Sequence, residues 1–154
     1  MSLIIHILCK SKEPITPTEV VDLFHETRLL PDLKTDPVTY GGTFPETGIN
    51  IIYANRKRPF TIYRLNKIPS KQYIKEVIED LNDSNVSLPN KITKWLDTVE
   101  QVIDIDFDPK APETVWTAIE EVEGYLANKY KGLIYVPGEG FYDDELNLLV
   151  SSKD

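Results

Sequence analysis

The sequence predicts an α+β fold: a mostly antiparallel sheet with helices packed on one face, in a single domain over residues 1–154. Three observations predict it. A nearly continuous apolar run of strand length opens the chain. Helix-period stripes with capping signals recur along it. The strand-period segments between them fall in the order strand, helix, hairpin, helix, short helix, strand, long helix, strand and a closing strand or hairpin.

Leu3 to Cys9 is the opening run, and its lack of alternation suits a central strand covered on both sides. Thr16-Pro17-Thr18-Glu19 then starts a helix: Thr16 can cap, Pro17 takes the first helical position and Glu19 completes a capping box. Val20, Val21, Leu23 and Phe24 give that helix its buried side. Residues 31–48 hold three prolines and three glycines, which forbid a long helix or a central strand. A connection of this length is often functional or mobile. Its Tyr40 and Phe44 flank the pair Gly41-Gly42, which makes these four residues candidates for a small-ligand loop.

Ile49–Ala54 and Pro59–Leu65 read as strands joined by the polar connector Asn55-Arg56-Lys57-Arg58. Ser70 is expected to cap a helix over 71–82, with Tyr73, Ile74, Val77, Ile78 and Leu81 at three-and-four spacing. Pro89 opens a short helix that turns Ile92, Trp95, Leu96 and Val99 inward. Gln101–Phe107 alternates: Ile103, Ile105 and Phe107 share one face, Asp104 and Asp106 the other. Pro112-Glu113 starts the longest helix, to about Tyr130. Its expected inward stripe is Val115, Ala118, Ile119, Val122, Tyr125 and Leu126, with Tyr130 as a candidate extension, and its expected wet face is Glu120, Glu121 and Glu123. Gly124 in mid-helix costs about 1 kcal/mol relative to Ala, which points to close approach of another element. Gly132 is expected to cap this helix, before a strand to Val136 and a turn at Pro137-Gly138-Glu139-Gly140.

Composition narrows the function classes. With 41% hydrophobic residues the chain can build a core, which removes it from the disordered class. One cysteine forbids an internal disulfide, and Cys9 with His6 and His25 cannot supply a zinc ligand set. No apolar run reaches the length of a membrane span, and the N-terminus lacks the basic lead-in and cleavage site of a signal peptide, so a cytosolic protein without membrane contact is expected. The net charge of −8 is uneven. Residues 1–98 hold 13 Lys+Arg against 12 Asp+Glu, whereas residues 99–154 hold 4 against 13. Such acidity argues against nucleic-acid binding, which needs a basic field, and fits steering of a basic partner. The basic run Arg56-Lys57-Arg58, with Arg64 and Lys67, lacks the aromatic platform of a nucleic-acid site and reads as a solvated turn.

Two acidic constellations stand out. Asp104, Asp106 and Asp108 are two residues apart on a strand, so they project to one side, as oxygen ligands for Mg²⁺ or Ca²⁺ would. The plain alternative is the wet face of an edge strand. Glu139, Asp143, Asp144 and Glu145 surround Phe141-Tyr142, and on a strand one of those rings must face outward. An outward aromatic among acids resembles the edge of a protein-binding patch; the plain alternative is packing across the sheet. A Cys9–His6 site is disfavoured because their odd separation sends them to opposite faces. Gly-x-Ser-x-Gly, His-Glu-x-x-His, Walker and dinucleotide motifs are all absent, so no catalytic residue is assigned and no cofactor is expected.

The passage from Ala127 to Asp144, where a long helix ends in Gly, a strand follows and an acidic-aromatic hairpin closes the domain, resembles small bacterial families of unknown function and immunity-type proteins. The resemblance covers residues 115–150 and carries no catalytic residues. Together with the charge split it implies a non-enzymatic module, immunity-like or antitoxin-like, that binds a basic protein through Glu139, Phe141, Tyr142, Asp143 and Asp144. The alternatives are a metal-dependent enzyme using Asp104 and Asp106, and a small-ligand domain gated by the 31–48 loop.

Overall fold

The computed structural model describes residues 2–30, 32–36, 43–45, 47–53 and 59–151. The elements in chain order are β1 (Leu3–Cys9), α1 (Pro17–Thr27), β2 (Lys34–Asp36), β3 (Ile49–Ile52), β4 (Phe60–Leu65), α2 (Lys67–Asp83), α3 (Asn90–Leu96), β5 (Gln101–Phe107), α4 (Glu113–Tyr130), β6 (Gly132–Val136), β7 (Gly140–Tyr142) and β8 (Leu148–Ser151). The strands form one sheet in the order β2-β3-β4-β5-β1-β6-β7-β8, with every neighbouring pair antiparallel. The α+β class and the antiparallel sheet are as the sequence predicts. β1 is central, between β5 and β6, and α4 crosses over it to link those two strands.

The helices cover both faces of the sheet, which corrects the expectation of one. On the first face Ile5, Ile7, Ile103, Ile105 and Ile134 pack under Phe24 of α1 and under Val115, Ile119 and Leu126 of α4. On the second, Leu8, Val102 and Leu133 pack under Ile74 and Val77 of α2 and Ile92 and Leu96 of α3. The reason lies in the central strands. β1 and β6 are apolar at consecutive positions, and successive side chains point to opposite faces, so a layer on one side alone would leave half of them in water.

Local chemistry shifts two boundaries. α2 begins at Lys67, four residues before the expected start. Pro69 is tolerated in its first turn, where backbone N–H groups have no helical acceptor anyway. Ser70 is not the cap: it is buried within the helix, and its hydroxyl donates to the Leu65 carbonyl at 3.0 Å. At the end of α4 the left-handed residue is Lys131 (φ 55°), and Gly132 is already the first residue of β6. Gly132 is needed for space: a Cβ there would lie 3.1 Å from both Ala127 Cα and Ile7 Cγ2. Thr16 caps α1 as expected, accepting from Glu19 N at 3.2 Å. Among the described residues no helix is long and apolar enough to cross a membrane.

The α4 face, the buried Glu123 cavity and the His6–Asp104 pair

The buried side of α4 is made of Val115, Ala118, Ile119, Val122, Glu123, Leu126, Ala127 and Tyr130. It contains Glu123 and omits Tyr125, the reverse of the expected assignment for these two residues. Side chains four apart lie one above another on a helix. Val115, Ile119, Glu123 and Ala127 therefore form one ridge, and Ala118, Val122, Leu126 and Tyr130 form the next. Glu123 falls on a ridge and Tyr125 on neither, so the glutamate is 3% exposed and the tyrosine 48%.

Glu123 lines a cavity of about 300 Å³ between α4 and the β6–β7 hairpin. Ile5 and Ile134 form its floor, Trp116 and Tyr142 its aromatic wall, and Glu120 and Glu139 stand at its sides. Tyr142 donates its hydroxyl proton to Glu139 at 2.9 Å, and Trp116 is braced edge-on against Phe107 with centroids 4.7 Å apart. The Oε1 atom of Glu123 is buried without a hydrogen-bond partner. Burial first, and then the negative charges of Glu120 and Glu139, push its carboxyl from the ordinary 4.5 up to about 8. Water at neutral pH therefore leaves it protonated.

On the other side of α4, Tyr125 stands in a groove between α1 and α4 lined by Asp22, Leu23, Glu26 and Glu121. Glu19 lies at its end. It accepts a hydrogen bond from the buried Tyr130 hydroxyl and pairs with Lys129, whose ammonium it holds more firmly protonated. The loop after β7 flanks the same helix. A Cβ on Gly124 would approach the Asp144 carbonyl to 3.3 Å, and Asn128 Nδ2 donates to Asp144 Oδ2 at 2.8 Å. The close approach expected at Gly124 is this loop. Asp143 organises it: its Oδ1 accepts from the backbone N–H groups of Glu145 and Asn147, both at 2.9 Å. Those donors hold its carboxyl below the usual range, with the Asn147 N–H the largest cause.

The sequence-selected aromatics are placed differently from Tyr125. Phe141 is fully buried on the second face, stacked on Tyr135 at 4.7 Å, and so is no anchor for a partner. Tyr142 is half-buried and faces the Glu123 cavity. Glu139 is half-buried beside it. In the 31–48 loop, Phe44 packs against the first core, while Tyr40, Gly41 and Gly42 lie outside the described residues, as do Arg56, Lys57 and Arg58.

Asp104 points to the second face, where its Oδ1 meets His6 Nδ1 at 2.5 Å. Strand register brings them together, since β1 pairs His6 with Asp104 across to β5. Tyr73 of α2 covers the imidazole at a centroid distance of 4.5 Å, and Tyr135 lies beside it at 6.0 Å. Burial and the nearby Asp104 carboxylate push the Tyr73 phenol up. Sequence reasoning placed the acids on this face but missed the histidine, because the pairing partner of β5 was unknown. Asp106 shares the face, and Asp108 Oδ1 accepts from the Lys110 N–H at 2.9 Å in the following turn. Among the described residues no three His, Cys, Asp or Glu side chains converge as a metal centre requires.

Cys9 lies on the first face, away from His6, and burial raises its thiol to about 12, against a smaller opposing pull from Arg64. A thiol so placed is a poor nucleophile. Gln101, which the sequence marks only as a strand start, ties the 11–15 segment to the sheet. Its amide donates to the Ser11 and Glu13 carbonyls at 3.0 and 2.6 Å, and its oxygen accepts from Arg64 Nε at 2.8 Å. Compared with protein-family models, with curated proteins and with solved structures, the chain matches none.

Proposed function

We propose that this domain is a non-enzymatic protein-binding module that holds a basic protein on the face built by α1 and α4. The observation that carries the reading is Tyr125: a large ring, half in water, in a groove lined by carboxylates of α1 and α4. An exposed tyrosine supplies contact area at low entropic cost, and acids around it steer a positive partner and set its orientation. Asp22, Glu26 and Glu121 provide that field, and Lys129, near the end of the groove, is already paired with Glu19. The anchor thus moves from the hairpin aromatics to Tyr125 of α4. The resemblance of residues 115–150 to immunity-type proteins supports the same class, with a basic toxin-like protein as the partner.

Partner capture from the native host, followed by kinetics with the purified pair, tests the reading. The association rate is expected to fall about tenfold or more between roughly 50 and 300 mM salt, as screening weakens the steering. Tyr125→Ala is expected to speed dissociation about tenfold or more, the range of a central anchor, with the fold unchanged. A partner whose association ignores salt and whose dissociation ignores Tyr125→Ala would sink the proposal.

A further inference from the structure

We propose that the cavity between α4 and the β6–β7 hairpin is a binding site for an aliphatic ammonium group, with Glu123 as counter-ion and Trp116 and Tyr142 as the aromatic wall. Trp116 and Tyr125 are nine residues apart, half a turn round the helix, so this site is distinct from the proposed protein-binding face and stands or falls separately.

The argument starts from Glu123 Oε1, an acceptor buried without a donor. Such a group is costly unless something completes it. Glu123 belongs to the lining of a cavity of about 300 Å³, at the small end of ligand sites. The charge of that cavity selects the ligand's sign: Glu120 and Glu139 join Glu123, and among the described residues no Lys or Arg lines it. A metal is the wrong cation, since no three ligating side chains converge among the described residues. The wall instead offers two aromatic rings, whose faces attract organic cations, above an aliphatic floor that suits a hydrocarbon stem. A planar guanidinium prefers both oxygens of a carboxylate, whereas one unpartnered oxygen matches the compact head of an ammonium.

Binding is an exchange. The groups facing Glu123 are Glu120 on its own helix, Glu139 in the β6–β7 turn and Tyr142 on β7; β1 and β6 contribute only Ile5, Ile134 and Val136. With Glu123 protonated at neutral pH in the empty site, entry of the ammonium sends that proton to solvent and leaves a carboxylate–ammonium pair.

The test is calorimetric titration of the full chain at pH 7 with n-butylammonium and with Nα-acetyl-lysine amide, each repeated in buffers of different ionisation enthalpy. Saturation below about 10 mM and release of about one proton per cation are expected. Glu123→Gln, which keeps the side-chain shape, should weaken binding about tenfold or more, and Trp116→Leu by several-fold, while Asp83→Asn on α2 changes nothing. Tighter binding of butylammonium marks a free amine as the ligand, and tighter binding of the lysine derivative marks a protein side chain. Absence of saturation, affinity that survives Glu123→Gln, tighter binding of ethylguanidinium, or competition by Ca²⁺ at equal concentration would each overturn the proposal. If Glu123→Gln does not fold, the proton release and the Trp116→Leu titration decide.

Discussion

Replacement of Glu123 by Gln should change the pH dependence of stability more than any other single substitution in α4. The folded carboxyl holds its proton up to about pH 8, and the unfolded one loses it near the ordinary 4.5. Between those values the folded state binds more protons, so each rise in pH favours unfolding, until the cost levels off above pH 8. A shift of about 3.5 units at about 1.4 kcal/mol each sets a ceiling near 5 kcal/mol, and relaxation with water entry should reduce the realised cost to about 2–4 kcal/mol at pH 8. Gln cannot ionise and removes this term. It adds a constant offset, because a buried amide has its own bonding needs. Thermal unfolding of both proteins from about pH 4.5 to 8.5 reads the difference. At about 2–4 °C per kcal/mol for a chain of this length, the variant's Tm should gain roughly 5–10 °C on the parent across the range. A Tm difference that stays flat with pH would refute the assignment of Glu123 as a buried, uncompensated carboxyl.

Two further outcomes follow from the C-terminal hairpin. Gly140 has φ 141°, and a Cβ there would fall 1.9 Å from the Val150 carbonyl oxygen, so Gly140→Ala should cost about 3 kcal/mol or more and detach β8; urea unfolding and hydrogen exchange at the Phe141 and Val150 amides measure both effects. The Asp143 carboxyl lies below its ordinary 3.8, so its hold on the 143–147 loop is complete above that value and is lost as pH falls through the lower folded one. The Glu145 and Asn147 amide shifts in an acid titration should therefore move together with an apparent pKa below 3.8, and movement at higher pH would contradict the bonding described.

The parts of the fold that were legible in sequence are those set by local periodicity. The continuous run of β1, the Thr16–Glu19 cap and the extent of α4 depend on neighbours within a turn or a strand. What was not legible depended on partners far along the chain. His6 reaches Asp104 across a sequence separation of 98, and Gln101 reaches Ser11 across 90. Strand pairing fixes both contacts, and hydrophobic patterning says nothing of which strands pair. Helix placement is hidden for a related reason: the double-sided apolarity of β1 demands a layer on each face, but a pattern along one strand does not say which helices supply it, and here α1 and α4 cover one face and α2 and α3 the other.

Glu123 and Tyr125 are different, because the signal that places them is local: the four-residue spacing along α4. Residue type assigned the tyrosine inward and the glutamate outward. Position assigns the reverse, for Ile119 and Ala127 sit four residues either side of Glu123 and are buried with it. When spacing and residue type disagree on a long helix, burying the acid costs several kcal/mol, while rotating the helix to save it would expose a whole ridge. The ridge wins, and the misfit residues are left where chemistry can use them. On α4 that conflict yields an acid in a cavity on one side and an exposed ring among acids on the other. The same rule gives a search criterion: in an amphipathic helix, the titratable residue that spacing places inside and the aromatic that it places outside are the first positions to test for binding.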